Sequence, residues 1–411
     1  MWKAREGQTP GEELPRFIER AFGKAIESGE WWSWDWQVRH RLASVDSVLE
    51  VLDGELAIRP SIVEGMRQAE RRFRVSVTPC YLALATPRDP RDPILPQCLP
   101  DPCEASRAEG DLDPFMEKDL EVAPGLVHRY PDRALLVLTN FCSTLCRHCM
   151  RKREWQRRFD RLTDAQVDEA VAAIVARPKI RDVLLSGGDP LNLPPAFLGR
   201  VLGKLRRAAD LDCIRLGSRI PVTLPMRVDD EMLRALEPHA PLYLNTHFNH
   251  AREVSPESVA AVRRLQVAGV VVSNQAVLLR GVNDRAEDLL QLARALLRAG
   301  IRAYYLHQCD PVEGATQFRV GLNRGVELVA SLAGKVSGLA IPHYVVDLPG
   351  GEGKVAAAGP HLRRRSPEEW IYQSPLSGRL VAIDATEGTY GGVADWIVEQ
   401  GQMARYAAAP S

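Results

Sequence analysis

The sequence predicts an α/β protein built around a partial (β/α)6 barrel, with a helical segment before the barrel and an extension after it. From residue 131 onward, six short apolar runs alternate with segments of helical length, a pattern typical of a parallel sheet. Polar motifs follow five of these runs, as expected for a barrel whose functional groups gather at the carboxyl ends of its strands. Because a full barrel needs eight units, an open partial barrel is predicted.

The six candidate strands are ALLVLT, DVLLSG, CIRLGS, LYLNTH, VVVSNQAVLL and RAYYLHQ. Segments between them, such as LTDAQVDEAVAAIVA, have apolar residues at helical spacing and begin near a Thr or Ser that can cap the first turn. We divide the chain into residues 1–130, a helical segment with a proline-rich linker; residues 131–348, the barrel; and residues 349–411, a glycine-rich loop ending in lysine and a C-terminal extension.

Composition excludes some classes of function. Hydrophobic residues make up 45% of the chain and charged residues 26%, which is ordinary for a globular enzyme. Because 53 basic residues balance 53 acidic ones, no net charge attracts nucleic acid or an anionic membrane. The sequence shows neither a signal peptide nor an apolar run of about 18 residues that would span a bilayer. We therefore expect a cytoplasmic protein without nucleic-acid or membrane partners.

Three of the eight cysteines lie within one short motif, CSTLCRHC, which contains Cys142, Cys146 and Cys149. In a reducing compartment, cysteines are more often thiols or metal ligands than disulfides. Three thiolates can hold three irons of a four-iron cubane and leave the fourth iron open to a small molecule. A zinc site would take a fourth ligand, for which His148 is a candidate. The position of the motif at the start of a barrel favours the cluster.

Two other motifs contain glycine. Ser186-Gly187-Gly188-Asp189 follows the second strand, where glycines expose backbone carbonyls and a carboxylate can accept a hydrogen bond from an ammonium group. The segment DLPGGEGK, from Asp347 to Lys354, places a lysine after a glycine-rich loop. Taken alone, the SGGD segment could be a simple turn, and Lys354 could be a lysine exposed to solvent.

The CxxxCxxC spacing resembles that of the radical S-adenosylmethionine (SAM) superfamily, in which the open iron chelates the amino and carboxylate groups of SAM. DLPGGEGK resembles the PGGGGK segment of the lysine 2,3-aminomutases. Other segments resemble that family in the family's order, over most of the chain from about residue 33 to Lys354: HRYPDRALLVLTNFCSTLCRHCMRKR, DVLLSGGDP, GSRIPVTLPMR, NTHFNH, NQAVLLRGVND and YYLHQCDPVEGATQFR.

This resemblance implies a radical SAM partial barrel with three cofactors: a 4Fe-4S cluster, SAM and pyridoxal 5′-phosphate. It assigns the cluster to Cys142, Cys146 and Cys149. It assigns contacts with SAM to Ser186, Gly187, Gly188, Asp189, His247 and Gln275. It assigns pyridoxal phosphate to Lys354, which carries it covalently and is the catalytic lysine, with contacts from Arg129, Tyr130 and Arg133. It assigns the substrate carboxylate to Arg151 and the distal ammonium of the substrate to Asp310 and Asp347.

The implied reaction is an isomerisation that moves the α-amino group of L-lysine to the β-carbon and gives β-lysine. A flavodoxin or ferredoxin would supply the electron, and a homo-oligomer is possible. Arginine is an alternative substrate because two carboxylates can also clamp a guanidinium. Glutamate is a more distant alternative substrate, because a relative that acts on glutamate would be expected to replace Asp310 and Asp347 with other residues. A zinc or iron-sulfur protein that binds nucleic acid through RKREWQRR is a remote alternative.

The chain departs from the family pattern at two places. Glu352 interrupts a run that is otherwise glycine. Arg285 stands after GVND, where well-known members have a zinc-binding cysteine, and no cysteine follows Cys309. A structural zinc is therefore not expected, and the subunit arrangement stays open.

Overall fold

A computed structural model describes residues 14–106, 109–156, 160–388 and 392–397 of the 411-residue chain. Ten strands form one sheet in the order in which they occur along the chain. They are β1 Glu121–Ala123, β2 Leu126–Tyr130, β3 Arg133–Thr139, β4 Asp182–Gly187, β5 Cys213–Gly217, β6 Leu242–Thr246, β7 Val270–Leu278, β8 Arg302–Gln308, β9 His343–Leu348 and β10 Gly353–Ala356. A second sheet contains β11 Leu362–Arg365, β12 Glu369–Gln373 and β13 Leu380–Asp384.

Strands β3 to β8 coincide with the six predicted strands and are parallel, so the predicted α/β fold is confirmed. The parallel sheet also continues into β9, which the sequence did not predict. This strand has only a short apolar stretch, YVV, before the turn residues that follow it. Its strand conformation depends on pairing with β8, which no local pattern reveals.

The helices cover the outer face of the sheet and form the N-terminal part. They are α1 Arg16–Glu27, α2 Trp34–Arg39, α3 Val45–Val51, α4 Pro60–Arg72, α5 Pro79–Leu82, α6 Leu95–Cys98, α7 Cys103–Ser106, α8 Asp164–Val175, α9 Pro195–Ala208, α10 Ile220–Thr223, α11 Asp230–Leu236, α12 Pro256–Val267, α13 Ala286–Arg298 and α14 Leu322–Ala330. Thr163 and Ser255 cap α8 and α12 through their side chains, as the sequence predicted. Among the helices of the described ranges, none has the length and apolar character that crossing a bilayer requires.

The sheet joins the three predicted segments of the chain. Antiparallel strands β1 and β2 extend it at one edge, and β10 pairs antiparallel with β9 at the other. The sheet therefore crosses the boundaries expected at residues 130 and 348, and the division into three domains stays a prediction. The C-terminal extension contributes the separate sheet of β11 to β13.

The N-terminal segment supports the loop that follows β3, residues 140–149, which we call the cysteine loop. The Ser76 hydroxyl donates to the Ser143 carbonyl at 2.8 Å, and the Leu145 amide donates to the Ser76 carbonyl at 2.8 Å. The Thr78 amide donates to the Thr144 hydroxyl at 3.2 Å. Because these bonds join distant parts of the chain, the cysteine loop takes its shape from the N-terminal segment.

A buried charge cluster lies behind the same loop. Glu104 accepts from Arg147 at 2.5 Å and from Lys152 at 2.7 Å, and all three side chains are fully buried. Arg147 also donates to the carbonyls of Phe73 and Arg74, at 3.2 and 2.8 Å. Burial lowers the pKa of Lys152 to about 8, although Glu104 opposes this shift. One carboxylate thus pairs with two buried cations.

We expect Glu104→Ala to destabilise the protein strongly, because it leaves two buried cations without a counter-ion. Losing one partner of a buried ion pair costs about 3–5 kcal/mol. Urea unfolding followed by circular dichroism measures this loss. Asp35→Ala removes an exposed partner of Arg39 and serves as the control, with little change expected. Equal midpoints for the two variants would contradict the role given to Glu104.

Candidate active site

The three cysteines of the cysteine loop lie at the carboxyl end of β3, and each is half-buried and free. Burial, followed by the nearby Cys146, raises the pKa of Cys149 to about 11. The pKa of Cys142 is also raised, by burial and then by Asp189 and the other two cysteines. Cys142 and Cys149 therefore resist ionisation unless a cationic group binds them. This arrangement fits an iron-sulfur cluster.

Arg219 connects the cysteine loop to the rest of the site. Its guanidinium donates to Cys146 Sγ at 2.8 Å and to the His247 carbonyl at 3.0 Å. It also donates to Glu253 at 2.5 Å and to the Tyr81 hydroxyl at 3.1 Å. A donor aimed at a cysteine sulfur is a common feature around iron-sulfur clusters.

The sequence left a zinc site as the alternative to a cluster at this loop. In the described part of the chain, no three His, Cys, Asp or Glu side chains are close enough to share one ion. A cubane does not require such closeness, since each thiolate binds its own iron. His148, the candidate zinc ligand, is buried and uses Nε2 to accept from the Asn249 amide at 3.2 Å.

The glycines of SGGD allow two parts of the barrel rim to approach each other. A Cβ atom at Gly187 would collide with the Thr139 carbonyl, and one at Gly188 would collide with the Phe141 carbonyl. Gly187 also has a φ of 125°, which side chains disfavour. These two positions therefore require glycine for packing against the cysteine loop, whatever they bind.

Asp189 already has partners within the protein. Its carboxylate accepts from the Ser218 hydroxyl at 2.7 Å and from the backbone amides of Arg219 at 2.6 Å and Leu191 at 3.0 Å. Burial raises its pKa to about 6, against the effect of these bonds. Asp189 thus joins the loops after β4 and β5, and its predicted contact with SAM stays a prediction.

The remaining residues predicted to contact SAM lie near the same rim. Ser186 ends β4, His247 follows β6 and Gln275 lies in β7. Burial lowers the pKa of His247 to about 3, and His307, Arg219 and Lys354 add to the shift, so the ring is neutral. Within the described residues, the buried Thr246 hydroxyl next to His247 has no hydrogen-bond partner. An orphaned hydroxyl beside these polar groups fits a bound polar cofactor such as SAM.

Arg129 joins the two ends of the sheet. From β2 it donates to the Gly351 carbonyl at 3.0 Å and the Leu348 carbonyl at 3.3 Å, and it lies 3.6 Å from the Asp347 carboxylate. Tyr130 and Arg133 continue the row, with the Arg133 guanidinium 4.7 Å from the Tyr130 ring centroid. Cationic and phenolic groups in a row suit a phosphorylated aromatic cofactor. Arg129 also binds the turn between β9 and β10.

Lys354 lies in β10, directly opposite Asp347 in β9. Its ammonium is 3.1 Å from the Asp347 carboxylate, 3.3 Å from Nδ1 of His307 and 4.9 Å from the Tyr305 ring centroid. Gly350 and Gly351, both with positive φ, form the hairpin turn. The glycine-rich loop is thus a β-hairpin that presents the lysine beside an aromatic ring, an arrangement that fits pyridoxal phosphate.

Asp347 and Asp310 differ in their surroundings. Burial alone would raise the pKa of Asp347, but Lys354, His307 and Arg129 outweigh it and hold the pKa below its usual range. Burial and the charge of Asp347 raise the pKa of Asp310 to about 8. In the described residues, no donor lies within hydrogen-bonding distance of the Asp310 carboxyl group. Asp310 is therefore the acid without a directly bonded cation, although Lys354, Arg129 and Arg151 lower its pKa from a distance.

Arg151 is paired within the protein. Glu117 accepts from its Nε at 3.0 Å and from its Nη2 at 2.6 Å. Arg151 is also one of the cations that lower the pKa of Asp310. The run RKREWQRR is not a solvated patch where it is described, because Arg151, Lys152 and Arg153 are paired with buried or half-buried acids. Arg157 and Arg158, the last two residues of this run, lie outside the described residues.

Sequence reasoning missed three residues of the site: His307, Glu117 and Arg219. His307 belongs to the HQCD motif, which was placed correctly on the barrel rim without a role for the histidine. Arg219 follows β5 in GSR, another rim motif. Glu117 carries no local signal, because it lies in a turn-rich segment far from Arg151 along the chain.

Arg285, at the position of the family's zinc-binding cysteine, forms an ion pair with Asp288 at 2.7 Å. This pairing accounts for the arginine locally. The expected lack of a structural zinc stays a prediction.

Comparison with known proteins supplies the family. Residues 136–293 match the radical SAM superfamily. The chain is 39% identical over 352 residues to L-lysine 2,3-aminomutase of Clostridium subterminale, covering 85% of this chain and 84% of the relative. It is 36% identical over 355 residues to glutamate 2,3-aminomutase of Clostridioides difficile, covering 86% and 83%. It is 31% identical over 332 residues to L-lysine 2,3-aminomutase of Escherichia coli strain K12, covering 77% and 92%.

We expect Asp310 and Asp347 to affect stability with opposite dependence on pH. The pKa of Asp310 is raised above its unfolded value of about 3.9, so the stability it contributes is lost as pH rises from about 4 toward 8. Asp310→Asn should therefore gain stability relative to wild type between pH 5 and pH 8, by more than about tenfold in the unfolding equilibrium constant.

Asp347→Asn is the matched control. Its carboxylate has a lowered pKa and is ionised throughout this range, so the variant should be less stable than wild type at both pH values. Urea unfolding of the cofactor-free protein measures both effects. If Asp310→Asn tracked wild type at every pH, Asp310 would not carry a raised pKa.

Proposed function

The chain belongs to the radical SAM superfamily and, within it, to the family of the lysine 2,3-aminomutases, and on this premise we propose that it moves the α-amino group of L-lysine to the β-carbon to form β-lysine. Enzymes of this family are isomerases, and membership implies a 4Fe-4S cluster, SAM and pyridoxal phosphate. One observation supports lysine above all: the Asp310 carboxyl group has no hydrogen-bond donor among the described residues. In this proposal it shares one chamber with Lys354 and Arg151, which both lower its pKa.

The three cofactors supply hydrogen abstraction from carbon and a conjugated ring through which nitrogen can migrate between neighbouring carbons. The residues of the chain bind, orient and enclose. Cys142, Cys146 and Cys149 hold the cluster, and Lys354 holds pyridoxal phosphate. In this proposal the SAM side of the chamber is formed by Ser186, Gly187, Gly188, Asp189, His247 and Gln275. The pyridoxal phosphate side is formed by Arg129, Tyr130 and Arg133.

The substrate is held at both ends. Arg151 binds the α-carboxylate, and Asp310 binds the distal ammonium together with Asp347. Because Asp347 already faces Lys354 at 3.1 Å and His307 at 3.4 Å, its charge is shared. Asp310 then supplies the less compensated negative charge. Binding of a cation favours the ionised form of Asp310, so a proton leaves the site when lysine enters it. Holding both ends places one β-carbon hydrogen next to the radical source.

A glutamate substrate would present a carboxylate to Asp310 and Asp347, which repulsion disfavours. The relative from Clostridioides difficile acts on glutamate by its name, so this substrate belongs in the test. Arginine presents a cation like lysine does and belongs there too.

We place the reaction in the cytoplasm, because the three cysteines of the cysteine loop are free and cluster chemistry needs a reducing compartment. A small electron carrier such as flavodoxin or ferredoxin is the proposed reductant. Self-association remains a proposal that size-exclusion chromatography can test.

Lys354→Ala should lose covalent attachment of pyridoxal phosphate and all turnover, while the cysteine loop still binds iron. Borohydride reduction followed by peptide mapping checks the attachment, and iron analysis checks the cluster. Lys118→Ala, which changes an exposed lysine, should keep the label on Lys354. A pyridoxyl label on another lysine of the wild-type enzyme would overturn the assignment.

Asp310→Asn should lower kcat/KM for lysine about 100-fold, because the distal ammonium loses the poorly compensated carboxylate that it meets. Norleucine, which has no distal charge, should be affected little. The experiment compares wild type and variant, reconstituted anaerobically, on lysine, arginine and glutamate, with β-amino acid products separated by chromatography. A wild-type preference for glutamate, or unchanged lysine turnover in the variant, would refute the basic substrate.

A further inference from the structure

We propose that Glu117 is a positioning residue that aims the guanidinium of Arg151 at the α-carboxylate of the substrate and so sets the affinity for that carboxylate. The inference rests on the proposed function, because it takes Arg151 as the residue that binds the substrate carboxylate. Glu117 itself touches neither substrate nor cofactor in this proposal.

The geometry of the pair carries the inference. Glu117 binds one edge of the guanidinium, with Oε2 3.0 Å from Nε and Oε1 2.6 Å from Nη2. A guanidinium has five N–H donors arranged in a rigid plane, so a carboxylate on one edge leaves the other edge available. In the described part of the chain, Nη1 of Arg151 has no hydrogen-bond partner. A second carboxylate can therefore bind there in a fixed direction.

Glu117 is held rigidly and is charged. Its Oε2 also accepts from Arg153 Nη2 at 2.5 Å, and its side chain is only 12% exposed. Burial alone would raise its pKa, but Arg151 and Arg153 lower it to about 2. The carboxylate thus stays ionised at any pH at which the enzyme works, and it holds Arg151 in one orientation.

The segment that carries Glu117 is residues 111–120, and we call it the strap. It is joined at its start to the loop after β8, since the Asp111 amide donates to the Pro311 carbonyl at 2.9 Å. The Glu117 amide donates to the Asp113 carboxylate at 3.1 Å, which orders the strap locally. The Gly350 amide donates to the Pro114 carbonyl at 2.7 Å, which joins the strap to the hairpin of Lys354. The strap therefore fixes the substrate-binding arginine relative to the lysine that holds the cofactor.

A different role would give the opposite result. If Glu117 occupied the substrate's own position on Arg151, the substrate would have to displace it, and removal of Glu117 would strengthen binding. If Glu117 positions Arg151, its removal releases a long, flexible side chain and weakens binding. The sign of the change in affinity separates the two roles.

The experiment uses reconstituted holoenzyme and the variants Glu117→Ala and Glu117→Gln. It measures KM and kcat for lysine, and the Kd values of lysine and 1,5-diaminopentane by calorimetry. Diaminopentane is lysine without its carboxylate, so it cannot use Arg151. We expect Glu117→Ala to raise the KM and Kd of lysine about 10-fold or more, with kcat at saturation within about threefold. The Kd of diaminopentane should stay within about threefold.

Glu117→Gln keeps the size and one acceptor oxygen, so it should fall between wild type and Glu117→Ala. This variant keeps the test valid if the alanine variant does not fold. Asp113→Asn is the matched control, because Asn keeps an acceptor oxygen for the Glu117 amide and so leaves the strap ordered, and because Asp113 contacts Arg153 but not Arg151. It should leave the Kd of lysine within about threefold of wild type.

Unchanged or tighter lysine binding in Glu117→Ala would overturn the proposal. Equal weakening of lysine and diaminopentane, or an equal effect of Asp113→Asn, would do the same, since either result means that the strap as a whole is disturbed. The failure of the proposed function looks different, because the wild-type enzyme would then convert no amino acid at all. The comparison of the Kd values of lysine and diaminopentane would still show whether Arg151 binds the carboxylate.

Discussion

The buried guanidinium of Arg219 is the contact on which the arrangement of the site depends. It follows β5, yet it binds Cys146 in the cysteine loop, the carbonyl of His247 after β6, and Glu253 and Tyr81 from more distant parts of the chain. A charged group in such a place is stable only when each of its donors meets an acceptor. Satisfying Arg219 therefore requires the N-terminal segment, the cysteine loop and the barrel rim to lie in one relative position.

A second buried cation cluster reinforces this arrangement from behind. Glu104 of the N-terminal segment pairs with Arg147, which lies between the last two cysteines, and with Lys152, which lies three residues after Cys149. The N-terminal helices are thus part of the site's support. Because each of these bonds is long-range, the cysteine loop cannot be treated as an independent cluster-binding peptide.

The chamber itself is organised by unequal charge compensation. Asp347 is surrounded by Lys354, His307 and Arg129, whereas no donor among the described residues is hydrogen-bonded to the Asp310 carboxyl group. At the other side Arg151 is already paired on one edge by Glu117. Each end of the chamber thus retains one incompletely paired group, an acid at one end and a guanidinium edge at the other. This pattern complements an amino acid that has a carboxylate and a distal ammonium.

The sequence by itself determined the parallel α/β core, the six strands from Arg133–Thr139 to Arg302–Gln308, and the gathering of the motifs at one rim, because these follow from local periodicity and from strand direction. Resemblance named the family, and the comparisons confirmed it. Only the tertiary structure decided that Asp347 lies in a seventh parallel strand, that Lys354 is presented by a hairpin, that Glu117 holds Arg151, and that Asp310 and Asp347 differ in charge. These features depend on contacts between residues far apart in the chain and on burial, and neither is encoded in the spacing of residues along it.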